Sequence, residues 1–368
     1  MQVIRGLVVG LLVAGCNDPA EHAPLLRSMP EPPGTNCQRG GTAIVSGLDD
    51  NDNGVLDPSE VSSTTYVCAP PGPAVIEGSV IVHNSVEVAE LDGVETITGD
   101  LTIDAPGLTS TSLGSLQMVG GSINIVNFSG TTIGFPSLVS AGWLRVLDNA
   151  SLAAISVPAI TSLNRIDLTA PAMTSISFPQ LVSVRFISLD KLAGTSFVVN
   201  TSFPLVASLD TLEVSAWPNL TSLSLGTADV TKAVTIDGNP LLATIDLNTL
   251  TDTGMLMVGG NPALTAIGVS ALATISKTLY ISNNDALAAL VLPSLTAVAT
   301  ELDGQAQIEG NNVLQSISAP GWTVFGAARY FGVNRNNQLP TCAAQALATQ
   351  VGATNIDISG NNSAGTCP

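Results

Sequence analysis

From residue 75 to the C-terminus, two apolar residues separated by one other residue recur as a unit. The second apolar residue of each unit is Val82, Ile103, Ile125, Val146, Leu168, Leu189, Val214, Ile236, Val258, Ile281, Ile308, Val333 and Ile358, at steps of 21 to 27 residues. Alternation with period two marks a strand with one buried face. Its recurrence at this spacing marks a solenoid, because one rung cannot bury its apolar face alone but a stack can. The pattern predicts a mainly β chain: a parallel β-solenoid of about thirteen rungs over residues 75–368, roughly 60 Å long at about 4.8 Å per strand.

Asparagine repeats in the same register. Three residues past the rung end stand Asn149, Asn239, Asn261, Asn284, Asn311, Asn336 and Asn361. Stacked at one corner, such amides bond turn backbone groups and one another, forming a structural asparagine ladder. A leucine follows two or three residues on: Leu152, Leu241, Leu264, Leu287, Leu314, Leu339. Next comes a second short apolar segment, often ending in proline, as in Ile155-Ser-Val-Pro158 and Leu290-Val-Leu-Pro293. Proline there suits a strand edge or a turn. The one convincing helix begins near Pro340 and Thr341 and stops before Gly352. An open sheet edge needs covering, so residues 339–368 are expected to cap the stack.

Units such as Val234-Thr-Ile236-Asp-Gly-Asn239-Pro-Leu241 resemble the L-x-L-x-x-N-x-L core of leucine-rich repeats. The whole unit, with its second β-like segment, is similar to the receptor L domain. That resemblance implies a right-handed β-solenoid and a ligand-binding or structural ectodomain, and it brings no catalytic residues. Thirteen continuous rungs exceed a single L domain, so two fused units are the alternative.

Composition narrows the class. With 11 Lys+Arg against 29 Asp+Glu, the 368-residue chain carries a net charge of −18 and repels nucleic acid, which removes it as a partner. Hydrophobic residues make up 45%, enough for a core and against wholesale disorder.

The first fifteen residues read as a secretory signal: one cation, Arg5, then an apolar run too short to span a bilayer. The end, Leu12-Val13-Ala14-Gly15-Cys16, resembles the lipobox of bacterial lipoproteins, with Val13 where that pattern more often has leucine. The resemblance implies cleavage before Cys16, its lipidation, and anchoring to the bacterial envelope at the outer membrane or cell surface. Four cysteines remain in two sequence-local pairs. In an oxidising compartment the expected disulfides are Cys37–Cys68 and Cys342–Cys367. Two other pairings exist on paper, and both tie the N-terminal module to the far C-terminus.

Residues 16–36, rich in proline and polar residues, read as a flexible tether, with His22 a solvated linker residue. Residues 37–68 form a small disulfide module, and 69–74 a linker. Within the module, aligning Gly54 with position six of a calcium loop puts Asp49, Asn51 and Asn53 at one, three and five. Val55 then supplies a carbonyl at seven, Asp57 falls at nine and Glu60 at twelve. Alternate short oxygen side chains wrap a hard cation, and the last glutamate closes the cage. A strand-like run precedes the loop, and a helix could follow only from Pro58, so the expectation is a calcium loop without the EF-hand's paired helices. The unit resembles cysteine-bracketed modules of secreted proteobacterial proteins, which implies structural calcium.

Catalytic motifs are lacking: there is no phosphate loop, no G-x-S-x-G and no H-E-x-x-H. His83 reads as an exposed or capping residue. The position between the two inward residues of each rung includes Arg145 and Asp167, neighbours one rung apart, but no cluster of carboxylates. Met257 and Tyr280 occupy it on adjacent rungs, a small exposed apolar spot of the kind a partner-binding face uses. The expected function is therefore non-catalytic binding of a protein or glycan ligand. The alternatives are a β-helical carbohydrate-active hydrolase or lyase, marked by an outward acid cluster in a groove, and a purely structural coat or spacer, marked by self-association.

Overall fold

The computed structural model of the chain describes residues 22–32, 35–37, 41–68, 74–327 and 329–367. It divides into two compact units, residues 1–72 and 73–368. The expected signal peptide, Cys16 and most of the expected linker lie outside the described residues.

In the first unit, β1 (Pro24–Glu31), β2 (Gly41–Leu48) and β3 (Val61–Cys68) form an antiparallel sheet in that order. Period two along β2 buries Ala43, Val45 and Gly47, and Leu56 and Cys37 are buried with them. Gly47 has no room for a side chain, since a Cβ there would lie 1.8 Å from the Glu60 carbonyl oxygen. Strand β1 corrects the tether expected over 16–36. Pro24 and Pro30 look like linker residues, yet β1 is an edge strand, where a missing N–H is tolerated. His22 is likewise not a free linker residue: its Nδ1 lies 3.5 Å from Asp52 Oδ1.

The second unit is a parallel β-solenoid of about 13 turns. Each rung-ending residue from Val82 to Ile308 pairs in register with its successor, as Val146 with Leu168 and Val258 with Ile281. These inward residues join one continuous core. Bulges bend the longer strands onto the face. Gly254 sits at one of them, where a Cβ would come within 2.5 Å of the Lys232 carbonyl.

A second device makes the opposite corner. Two residues past the rung end, φ is positive at Asn127, Asp148, Lys191, Ala216, Gly238, Gly260, Asn283, Gly310, Arg335 and Gly360. Small or flexible polar residues enter this region most readily, which accounts for most of these residue types. The next residue then enters the stack. From Asn239 onward it is asparagine at every turn, and the ladder is unbroken. The Asn239 N–H donates to Asn261 Oδ1 at 3.0 Å, Asn261 to Asn284 at 3.2 Å, Asn284 to Asn311 at 3.0 Å, Asn311 to Asn336 at 3.1 Å and Asn336 to Asn361 at 3.0 Å. Each side-chain amide also donates to the rung-ending carbonyl of the preceding turn, as Asn261 to Ile236 at 3.1 Å. Asn149 repeats this alone, donating to Ile125 and accepting from the Phe128 N–H. The leucine that packs inward lies three residues past the asparagine. Leu241 is 52% exposed and Leu242 is buried in its place.

Three helical segments interrupt or follow the strands of the repeat among the described residues. The first, α1 (Ser85–Glu90), starts at Asn84, whose Oδ1 accepts the Val86 and Glu87 N–H groups. Glu87 returns its carboxylate to the His83 N–H at 2.7 Å, so His83 belongs to this cap. A single turn, α2 (Val199–Ser202), interrupts the middle of the stack. The last, α3 (Thr341–Gln350), buries Ala344, Leu347 and Ala348, and Gly352 turns the chain away at positive φ. Gln350 Nε2 ties it down by donating to the Ala319 and Trp322 carbonyls, each at 2.8 Å. Both expected disulfides form, with Cα–Cα distances of 5.2 Å for Cys37–Cys68 and 6.1 Å for Cys342–Cys367. No helix among the described residues is long and apolar enough to cross a membrane.

Candidate functional site

Each strand of the long sheet shows an outward residue before, between and after its two inward ones. Two clusters stand out on this face.

The first spans the fourth to sixth turns. Register pairing stacks Trp143, Arg165 and Phe186 on successive strands, and Arg145 beside Asp167 in the next column. The Arg165 guanidinium lies 4.8 Å from the Phe186 ring centre and 5.7 Å from that of Trp143, and Arg145 lies 5.9 Å from Trp143. These are cation–π distances. Arg165 Nε donates to Asp167 Oδ1 at 2.7 Å, whereas Arg145 Nε is 3.7 Å from Asp167 Oδ2 and has no hydrogen-bond partner. The pair expected of Arg145 and Asp167 is thus a triad in which Arg165 holds the closer contact. Trp143 is 42% exposed. Nearby, Arg185 and Lys232 both reach Asp210 Oδ2 at 2.8 Å, and the Lys232 bond, with that of Arg185, holds Asp210 below the ordinary aspartate range.

The second cluster lies in the tenth to thirteenth turns. Met257 and Tyr280 are register neighbours, as read from the sequence, but both are half-buried, so no exposed apolar spot forms there. The Tyr280 hydroxyl donates to Glu309 Oε1 at 2.7 Å, and Arg335 pairs with the other carboxylate oxygen. Burial alone would raise the Glu309 carboxyl, but hydrogen bonds from Tyr280, Arg335 and Gln307 outweigh it and hold the group below the ordinary glutamate range. Burial, reinforced by Glu309, pushes the Tyr280 hydroxyl up. Tyr330 and Asn334 donate to Asp357 Oδ2 at 3.3 and 3.0 Å. The Ser359 N–H, above all, lowers Asp357, while burial and the Asp357 charge raise Tyr330. Glu309 and Arg335 also border a hollow of about 490 Å³ lined by Asn283, Asn312 and Asn337.

Trp143, Arg165 and Phe186 lie in the column before the inward pair, and Glu309 in the column after it. Reading only the position between the inward residues misses both. The signal was present in the sequence as aromatic and basic residues recurring two positions ahead of the central column.

In the N-terminal unit, the residues picked out as calcium ligands form the connection between β2 and β3. Asp49 is buried, and its two carboxylate oxygens accept the Asn53 and Gly54 N–H groups at 3.0 and 2.7 Å. Asn51 and Asn53 accept the N–H groups two residues on, and Glu60 Oε2 accepts the Asp57 N–H at 2.8 Å. Gly54 has φ +76°, the sharp turn that position six requires. The donor types and their order along the loop fit calcium. Their arrangement is drawn in on itself: the Asn51 and Asn53 side-chain amides both donate to Asp57 Oδ2, at 3.0 and 3.1 Å. Among the described residues, no group of three or more His, Cys, Asp or Glu side chains converges as a metal-ligand set.

Residues 24–68 match the model of a family described as a domain of unknown function, DUF7151. The match begins at the first residue of β1 and ends at the last of β3, so the matched segment is this sheet with its loop and disulfide. No curated protein matches the chain.

Proposed function

We propose that this is a lipid-anchored cell-envelope protein whose solenoid binds a protein or glycan ligand without catalysing a reaction. The observation that carries the reading is the pairing of three carboxylates along the sheet: Glu309 with Tyr280 and Arg335, Asp357 with Tyr330 and Asn334, and Asp210 with Arg185 and Lys232. A glycoside-cleaving pair needs one carboxyl kept protonated beside one that is ionised. Here Glu309, Asp357 and Asp210 are all held below their ordinary values by hydrogen bonds and cations. Groups locked this way suit a fixed surface better than proton transfer.

The test is a pull-down with the mature chain against envelope extract and a glycan array, with and without calcium. A saturable hit is the expected result. A folded chain that captures nothing and self-associates overturns the reading in favour of a coat or spacer.

The anchor belongs to the same proposal: Cys16→Ser should release the chain from membranes, and retention in the membrane fraction counts against it. In the N-terminal module, Asp49, Asn51, Asn53, the Val55 carbonyl, Asp57 and Glu60 would hold a structural calcium ion, which would cross-link the loop and offset repulsion among its carboxylates. Calorimetry of the wild-type chain should show stoichiometric uptake that Asp49→Ala or Glu60→Ala abolishes. No heat of binding in the wild type sinks the assignment.

A further inference from the structure

We infer that the shelf around Trp143 binds an anionic saccharide, a polymer of the uronic-acid type. The inference rests on the solenoid being a binding module and adds the place and the ligand chemistry.

Charge points to an anion. The chain as a whole is at −18, yet Asp167 is shared by Arg145 and Arg165, and Asp210 by Arg185 and Lys232. Each triad has two cations around one anion and so keeps a net positive charge. At the shelf itself Arg145 and Arg165 share the single carboxylate of Asp167, so a negative ligand meets a local excess of positive charge beside Trp143 within a chain that is negative overall. Arg145 has unused capacity: its Nε is shielded from solvent without a hydrogen-bond acceptor, while its side chain as a whole is 39% exposed. A guanidinium so placed can take a carboxylate by its remaining N–H fork.

Shape and neighbours point to a sugar ring. The Trp143 indole lies on a sheet face rather than in a pit, and both adjacent guanidiniums approach it within 6 Å of its centre. A protein partner is best anchored by an aromatic ringed with apolar surface that excludes water. Around Trp143 the outward positions are instead Arg145, Arg165, Asn124 and Ser122. A pyranose can set its C–H face on the indole while its carboxylate reaches Arg145. Successive rungs about 4.8 Å apart let a polymer continue across the face toward Arg185.

The experiment titrates the full chain, in mild detergent at neutral pH and without calcium, with polygalacturonate, poly-L-glutamate and neutral dextran. Polygalacturonate should bind at least about tenfold more tightly than either of the others, and Trp143→Ala and Arg145→Gln should each weaken it by about tenfold. Lys277→Gln, which removes a cation paired with Glu301 elsewhere, should leave it unchanged. Equal binding of poly-L-glutamate overturns the inference in favour of an acidic peptide or bare charge attraction. Equal binding of dextran overturns the requirement for an anion, and full affinity in both shelf variants overturns the location. If none of the three polymers binds, the inference fails, while the binding-module reading is judged separately by the envelope pull-down.

Discussion

The third to seventh turns and the eighth to thirteenth turns of the solenoid solve the same corner in two ways. In the later turns a buried asparagine bonds both the carbonyl behind it and the amide of its neighbour, from Asn239 to Asn361 without a break. In the earlier turns only Asn149 does this; Phe128, Leu192 and Trp217 fill the same position with buried apolar side chains, and the fifth turn has an exposed proline there, Pro171. An amide ladder fixes each turn against the next by directional bonds, whereas apolar corners hold by packing. The surfaces differ in parallel. The ladder turns carry the acid–tyrosine–arginine network around Glu309, whose groups satisfy one another. The earlier turns carry an exposed tryptophan and an arginine with a donor to spare. The regular turns use their polar groups on one another, and the departures from regularity leave polar and aromatic groups without such partners.

Breaking the apolar corner should have the largest effect. Trp217 packs against Phe197 in a tilted pair with ring centres 5.8 Å apart and donates its indole N–H to the Gly194 carbonyl at 2.7 Å. Trp217→Ala should cost about 3–5 kcal/mol, read as a drop in the urea midpoint. Breaking the ladder should cost somewhat less and depend on position. Asn261→Ala strands the Asn239 N–H and the Ile236 carbonyl and should cost about 3 kcal/mol, whereas Asn361→Ala, at the partly exposed last step, should cost about 1 kcal/mol. Equal losses at the two sites would mean that the ladder adds nothing as a chain.

The smallest expected effect is on pH dependence. Glu309 has a folded-state pKa below its ordinary value, so its contribution is complete above that ordinary value and is lost as pH falls through the folded one. Glu309→Gln should therefore lower the melting temperature at neutral pH and flatten its decline on acidification. A variant curve parallel to wild type throughout contradicts the ionised, paired state.

Much of this was legible in the sequence because a solenoid repeats its physics. Val82 through Val333 could be placed because the same strand must bury the same two residues at every turn, and the asparagines because one corner recurs. Strand β1 was hidden because the prolines that mark an edge strand also mark linkers. Leu241 and Leu242 look alike in the sequence, and only the folded turn shows that Leu242 faces inward and Leu241 outward. The clusters around Trp143 and Glu309 were missed because they assemble across turns more than twenty residues apart, in columns flanking the one first read. Tyr280 reads as an exposed apolar residue in the sequence because its hydroxyl's partner, Glu309, is 29 residues away.

Hydrogen exchange of the full chain with and without polygalacturonate tests most directly whether the Trp143 shelf is the binding surface. Slowed exchange should be confined to peptides covering 140–147, 165–169 and 186–190, with 305–309 and 330–334 unchanged. Protection centred on the Glu309 turns, or none at all under saturating polymer, would contradict it.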